Sequence, residues 1–243
     1  MRFIIIFLLA VTIQTKVFTQ VDTISPVLSK LVTEKLINSE STYLVYWEDE
    51  NGNVSGSAEI WKRSLYVEGK EYWFDWKWYK NDTLYAHIKN TGNSKNMEPK
   101  VHHANYLKKG KFTVTLNNGW VSIPDSAQTK ESDKHFIVKL RQSAFAFPMD
   151  LEILPLLPFK ETRQQFAIAF YEPGSQESAF YHAIVTDKQD LILPANVRTL
   201  CWVLRLNYGP YSYADFWIAA KTREVLKMKE YYKGQYRYKI KLY

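Results

Sequence analysis

Hydrophobic and polar residues alternate along most of this chain, at the period of two expected of strands with one face buried. Tyr43, Val45 and Trp47 alternate with more polar neighbours, and Glu50-Asn51-Gly52-Asn53 then turns the chain into Ala58, Ile60 and Trp61. Leu65 and Val67 lead to Gly69, after which Tyr72, Phe74, Trp76 and Trp78 fall on one face and Trp73, Asp75, Lys77 and Tyr79 on the other. Asn81-Asp82 turns the chain into Leu84, Ala86 and Ile88. Phe112, Val114 and Leu116 make a further strand, closed by Asn117-Asn118-Gly119, and Phe136, Val138 and Leu140 alternate again. The polar stretches 90–99 and 124–133 read as exposed loops.

Two segments break this period. From Ser25-Pro26, an N-cap followed by proline at the first helical position, Val27, Leu28, Leu31, Val32, Leu36 and Ile37 recur at helical spacing and predict an amphipathic helix ending at Asn38. Residues 145–159 crowd Phe145, Phe147, Met149, Leu151, Ile153, Leu154, Leu156, Leu157 and Phe159 between Pro148, Pro155 and Pro158. These prolines forbid a central strand or a long helix, so a short helical turn or a plug over the open end of a sheet fits better.

Beyond the plug, strands are expected over 166–171, 180–185, 200–206, 215–218, 225–232 and 236–242, the last two joined around Lys233-Gly234. In this hairpin Leu226 and Met228 are expected to share a face with Tyr236, Tyr238, Ile240 and Leu242, leaving Arg223, Lys227, Lys229, Arg237, Lys239 and Lys241 on the other. Roughly a dozen short strands imply a mainly β fold with few helices: a curled antiparallel sheet or half-open barrel, with an N-terminal helix and a proline-broken lid. There is no internal repeat and no linker, so residues 21–243 read as one domain.

Residues 1–20 have the form of a secretory signal peptide, with Arg2, an apolar block over 3–13 and small polar residues near Thr19 and Gln20. The expected location is therefore extracytoplasmic, most simply the periplasm, with a soluble mature chain. No cysteine stands at the leader's end for lipid attachment, and no later apolar run reaches the ~20 residues of a membrane helix. The single cysteine, Cys201, sits in an apolar run and reads as a small buried hydrophobe rather than half of a disulfide. Aromatic residues make up 16% of the chain, a richness that suits strands and excludes disorder.

The formal charge is +7, of which Arg2 and Lys16 belong to the leader. Residues 221–243 carry eight Lys/Arg and two Glu, so basicity is concentrated in the C-terminal hairpin. That distribution, together with export, argues against a nucleic-acid partner. Lys227, Lys229, Arg237, Lys239 and Lys241 are candidates for contact with an anionic membrane surface or an acidic envelope protein. The simpler reading of the same residues is an ordinary solvated edge whose charges prevent strand pairing.

No phosphate-binding loop, nucleophile elbow or zinc-protease motif occurs. Adjacent His102 and His103 point to opposite sides of an extended strand and make no ready metal pair, while His87, His135 and His182 read as surface or hydrogen-bonded residues. Asp75, Asp150, Glu152 and Asp215 show no acid–base spacing. No catalytic residue, metal or cofactor is assigned. The sequons at Asn53 and Asn81 are about what chance supplies. The stripe Tyr72, Phe74, Trp76 and Trp78, with Phe145, Phe147, Leu151, Leu154 and Leu157, could line a cavity for an apolar ligand or simply form core.

The C-terminal half carries a resemblance. Leu154-Pro155-Leu156-Leu157-Pro158-Phe159 ahead of the strand at Phe166, the run from Asp215-Phe216-Trp217-Ile218 through Lys221-Thr222 to Val225-Leu226-Lys227, and a terminal strand ending near Tyr243 resemble a family of exported bacterial proteins of unknown function. The fold of that family is similar to the half-barrel of periplasmic lipoprotein carriers. The resemblance covers about the last hundred residues and implies a curled sheet with a helix or lid on its concave face; it transfers no catalytic residue. The leading expectation is a non-enzymatic protein that shelters a lipid, acyl chain or other hydrophobic molecule. An envelope scaffold working through the basic hairpin is the alternative, and a hydrolase stands third.

Overall fold

The computed structural model describes residues 20–28 and 30–243, so the expected leader lies outside the described residues except for Gln20. Sixteen strands join in one sheet: β1 (Val21–Ile24), β2 (Ser39–Asp49), β3 (Val54–Glu68), β4 (Glu71–Lys80), β5 (Thr83–Asn93), β6 (Glu98–Tyr106), β7 (Gly110–Asn117), β8 (Trp120–Ser122), β9 (Ile137–Lys139), β10 (Phe145–Ala146), β11 (Gln165–Tyr171), β12 (Ser178–Ile192), β13 (Arg198–Gly209), β14 (Ser212–Ala219), β15 (Val225–Tyr232) and β16 (Gln235–Leu242). The strand count exceeds the expected dozen because several predicted loops are paired.

The topology is two antiparallel meanders sharing a seam. Strands β2 to β9 follow one another in order, as do β11 to β16, and β16 pairs with β2 from Gln235↔Asp49 to Leu242↔Thr42. Short hairpin turns dictate this nearest-neighbour order. The outer edge of β11 carries β1 and β10, both parallel to it. Hydrogen bonding leaves the sheet open between β9 and that edge. Side chains bridge the gap: Val114, Val121 and Val138 from β7–β9 share one buried cluster with Ala169 and Tyr171 of β11.

The main core gathers side chains from both meanders around residues 145–159. That segment is β10, a 3-10 turn (Phe147–Met149), a single helical turn (Asp150–Ile153) and a second 3-10 turn (Leu154–Leu156), matching the expected proline-broken plug. Arg223 holds it by donating from one guanidinium nitrogen to the carbonyls of Pro155 and Leu157, at 3.3 and 3.0 Å. On β4, Tyr72, Phe74 and Trp76 are buried as the alternation requires, with Asp75 and Lys77 on the other face.

Three expectations are corrected. The helix over 25–38 does not form: the chain makes a turn, in which Leu28 donates to the Ser25 hydroxyl, then a 3-10 turn (Thr33–Lys35), and enters β2 at Ser39. Val32 donates instead to the Leu156 carbonyl, and Leu31 and Leu36 pack on the core. Docking on the plug outcompetes a helix too short to stand alone. The loop over 90–99 is mostly paired: Asn90 is buried and its Oδ1 accepts from His102 Nδ1 at 2.9 Å, and only the turn between Asn93 and Glu98 is outside the ladder.

The third correction concerns the basic hairpin. Register pairs Met228 with Lys239 and Glu230 with Arg237, so these four share one face, and Lys239 is buried at 3% exposure. Tyr236, Tyr238 and Ile240 lie on the opposite face with Lys227 and Lys229. Cys201 is buried with Ala219 and Leu226, as expected, and burial pushes its thiol up to about 11.

Candidate functional site

A cavity of about 460 Å³ lies between the start of the plug and the inner faces of both meanders. Trp61 of β3, Trp76 and Trp78 of β4, Ile88 of β5 and Tyr106 of β6 form one wall. Tyr181 of β12 and Tyr208 of β13 face them, Phe147, Pro148 and Asp150 close the plug side, and Glu172, Ser212 of β14 and Glu230, Tyr232, Arg237 and Lys239 of the C-terminal hairpin complete the lining.

Period-two geometry builds the aromatic wall. Trp61 and Trp78 are register partners on adjacent strands, and their rings stack at 4.1 Å with planes 7° apart. Trp76 meets both edge-on, at 5.1 and 5.5 Å. The buried carboxylate of Glu59 fixes Trp61 by accepting its indole N–H at 3.0 Å and also accepts the Tyr85 hydroxyl. The opposite wall packs as T-shaped and tilted pairs among Phe147, Tyr181 and Tyr208. Such arrangements are the preferred ones for aromatic quadrupoles and hold each ring in place.

Polar groups enter this wall at few points. The Lys239 ammonium sits over the faces of Trp61 and Trp76, 5.0 and 5.2 Å from their centroids, and Arg237 lies over Trp61 at 5.8 Å. Arg237 forms an ion pair with Glu230. Asp150, buried, accepts the N–H of Leu151 at 2.8 Å. Burial pushes the Asp150 carboxyl up, opposed chiefly by the charge of Lys239, while burial draws the Lys239 ammonium down, opposed chiefly by Asp150. No ion pair joins the two directly. Outside the cavity lining, Glu152 is buried against Arg63 in a separate ion pair.

Of the ligand-lining residues expected from sequence, Trp76, Trp78 and Phe147 reach the cavity. Tyr72, Phe74, Phe145, Leu151, Leu154 and Leu157 are core. Trp61, Tyr106, Tyr181 and Tyr208 were not singled out, because they come from four separate strands that only the topology brings together. Among the basic residues expected at a surface, Lys239 and Arg237 line the cavity instead. Lys227 lies over Trp217 and Tyr238, Lys229 over Tyr236, and Lys241 pairs with Glu224. A second hollow of about 490 Å³ on β2–β4 is lined mostly by charged and hydroxyl side chains such as Glu40, Lys62, Asp75 and Lys77, as a solvated groove would be. Among the described residues no cluster of His, Cys, Asp and Glu could hold a metal ion, and no helix is long and apolar enough to cross a membrane.

Comparison with solved structures identifies the architecture. A β-barrel-like protein of a domain of unknown function, DUF1849, from Brucella abortus superposes with a TM-score of 0.52 at 10% identity, covering 85% of this chain and 96% of that one. The fold is β-barrel-like. A DUF1329 family protein from Desulfovibrio piger aligns over 87% of each chain at 9% identity with a TM-score of 0.26. No protein-family model matches the chain, and no curated protein does.

Proposed function

We propose that the protein is a non-enzymatic binding protein whose sheet wraps as a half-open barrel around residues 145–159 and holds a compact hydrophobic molecule in the aromatic cavity. The observation that carries this reading is the box formed by Trp61, Trp76 and Trp78 facing Phe147, Tyr181 and Tyr208 across about 460 Å³. Volume, concavity and aromatic surface with charged groups at fixed places are properties of small-molecule sites. The packing of Ala169 and Tyr171 against β7–β9 supports the wrapped geometry. The leader-like residues 1–20 support export, and the periplasm is the compartment that this reading assigns.

Native mass spectrometry of the purified chain with octanoate, octanol, 2-naphthol and 2-naphthoate tests the proposal. A one-to-one adduct is expected with at least one of them, and Ser212→Phe, which fills the cavity from β14, should abolish it while leaving thermal unfolding unchanged. Absence of any adduct, or an adduct indifferent to Ser212→Phe, would count against the site.

A further inference from the structure

Hydrogen-bond accounting around the cavity is lopsided. The indole N–H groups of Trp76 and Trp78 and the Nε–H of Arg237 are buried without an acceptor. Lys239, 3% exposed as a residue, brings an ammonium with three donors that opens onto the cavity and makes no hydrogen bond or ion pair among the described residues. Its neighbours over Trp61 and Trp76 are ring faces, which attract a cation but accept no ordinary hydrogen bond. Unpaired buried donors are rare in folded proteins and each costs free energy unless something satisfies it.

Fewer acceptors than donors are left open in the same space. The Glu230 carboxylate is paired by charge with Arg237, while its Oε2 is buried without a hydrogen bond. Glu172 is exposed. One oxygen of Asp150 accepts the Leu151 N–H. Among the buried atoms left without a hydrogen bond, the cavity therefore sets three donors, on Trp76, Trp78 and Arg237, and the Lys239 ammonium beside them, against one acceptor, Glu230 Oε2.

We propose that the ligand of this cavity carries an oxyanion, a carboxylate, sulfonate or phosphate ester attached to a hydrophobic or aromatic body, and that Lys239 is its principal contact. This rests on the ligand-binding reading above. Trp61 and Trp78 present stacked faces for the body, while Lys239 marks the end of the box at which the head group sits. An amine in its place would meet the Lys239 ammonium as a like charge.

The test titrates the tryptophan fluorescence of the full chain at pH 7 with two series, octanoate, 1-octanol and octylamine, and 2-naphthoate, 2-naphthol and 2-naphthylmethylamine. The tail that binds distinguishes an acyl source from an aromatic one. In that series the carboxylate should bind about 10-fold more tightly than the alcohol, the worth of a charge-assisted hydrogen bond, and the amine least. Lys239→Met should erase the preference for the anion while the alcohol still binds, and Lys239→Arg should keep it. Equal binding of carboxylate and alcohol by the wild type overturns the oxyanion assignment but leaves the cavity as a ligand site; so does an anion preference that survives Lys239→Met. Failure of every compound to bind overturns the ligand reading and this inference together. Should Lys239→Met not fold, the wild-type head-group comparison and Lys239→Arg still decide.

Discussion

Trp61 and Trp78 face each other as cross-strand partners on β3 and β4, their rings 4.1 Å apart and 7° from parallel, and Glu59 locks the first of them through its indole N–H. Glu59 also accepts the Tyr85 hydroxyl and has Lys80 Nζ at 3.6 Å, so a single buried carboxylate organises one wall of the cavity. Glu59→Ala would leave the Trp61 and Tyr85 donors without this partner. We expect a stability loss of about 2 kcal/mol in urea unfolding, together with an altered tryptophan emission maximum. Unchanged emission would show that Trp61 is held by stacking alone.

A second prediction concerns Gly92, where the β5–β6 ladder is irregular. A Cβ at this position would come within 2.2 Å of the Glu98 carbonyl oxygen and 2.5 Å of the Tyr72 hydroxyl. Neither backbone nor a fully buried tyrosine can yield cheaply, so Gly92→Ala should cost about 2 kcal/mol or more, as overpacking does. Gly209→Ala, with nothing within 4 Å, should be near neutral in the same measurement.

The buried Arg63–Glu152 pair ties β3 to the plug. Arg63→Met alone leaves a buried carboxylate without its cation and should cost about 3–5 kcal/mol. Adding Glu152→Leu removes the stranded charge and should recover most of that loss. Additive losses in the double mutant, measured by chemical denaturation, would show that the pair does not act as a unit.

Acid should destabilise the fold through His102. Burial, with a smaller contribution from neighbouring His103, draws its imidazole from 6.5 down to about 4. The unfolded chain therefore takes up a proton first as pH falls, and stability is lost progressively from about pH 6.5 to pH 4, by about 3 kcal/mol in all. His102→Gln should flatten most of this slope in urea titrations at successive pH values. A slope unchanged by the substitution would place the acid sensitivity elsewhere.

Much of this structure is legible in the sequence because strand periodicity is local. The burial of Tyr72, Phe74 and Trp76 follows from it, while the turn at Lys233-Gly234 and the proline-broken plug follow from equally local turn and proline chemistry. The helix expected over 25–38 fails because its apolar residues reach the core from extended and 3-10 backbone, a tertiary preference that spacing does not encode. The error at the C-terminal hairpin was avoidable. A two-residue turn at Lys233-Gly234 pairs Tyr232 with Gln235 and hence Met228 with Lys239, which puts that lysine on the buried face. The cavity itself was out of reach, since Trp61, Trp78, Tyr181 and Tyr208 meet only after two meanders fold about the plug.

The most direct test of the aromatic cavity as a ligand site is a nitrogen-15 NMR spectrum of the tryptophan indoles, assigned by single Trp→Phe variants and recorded with and without 2-naphthoate and octanoate. The indole signals of Trp61, Trp76 and Trp78 should move with one or both compounds, while that of Trp120, half-exposed on β8, stays still. Shifts centred on Trp120, or no shift with either compound, would contradict the account.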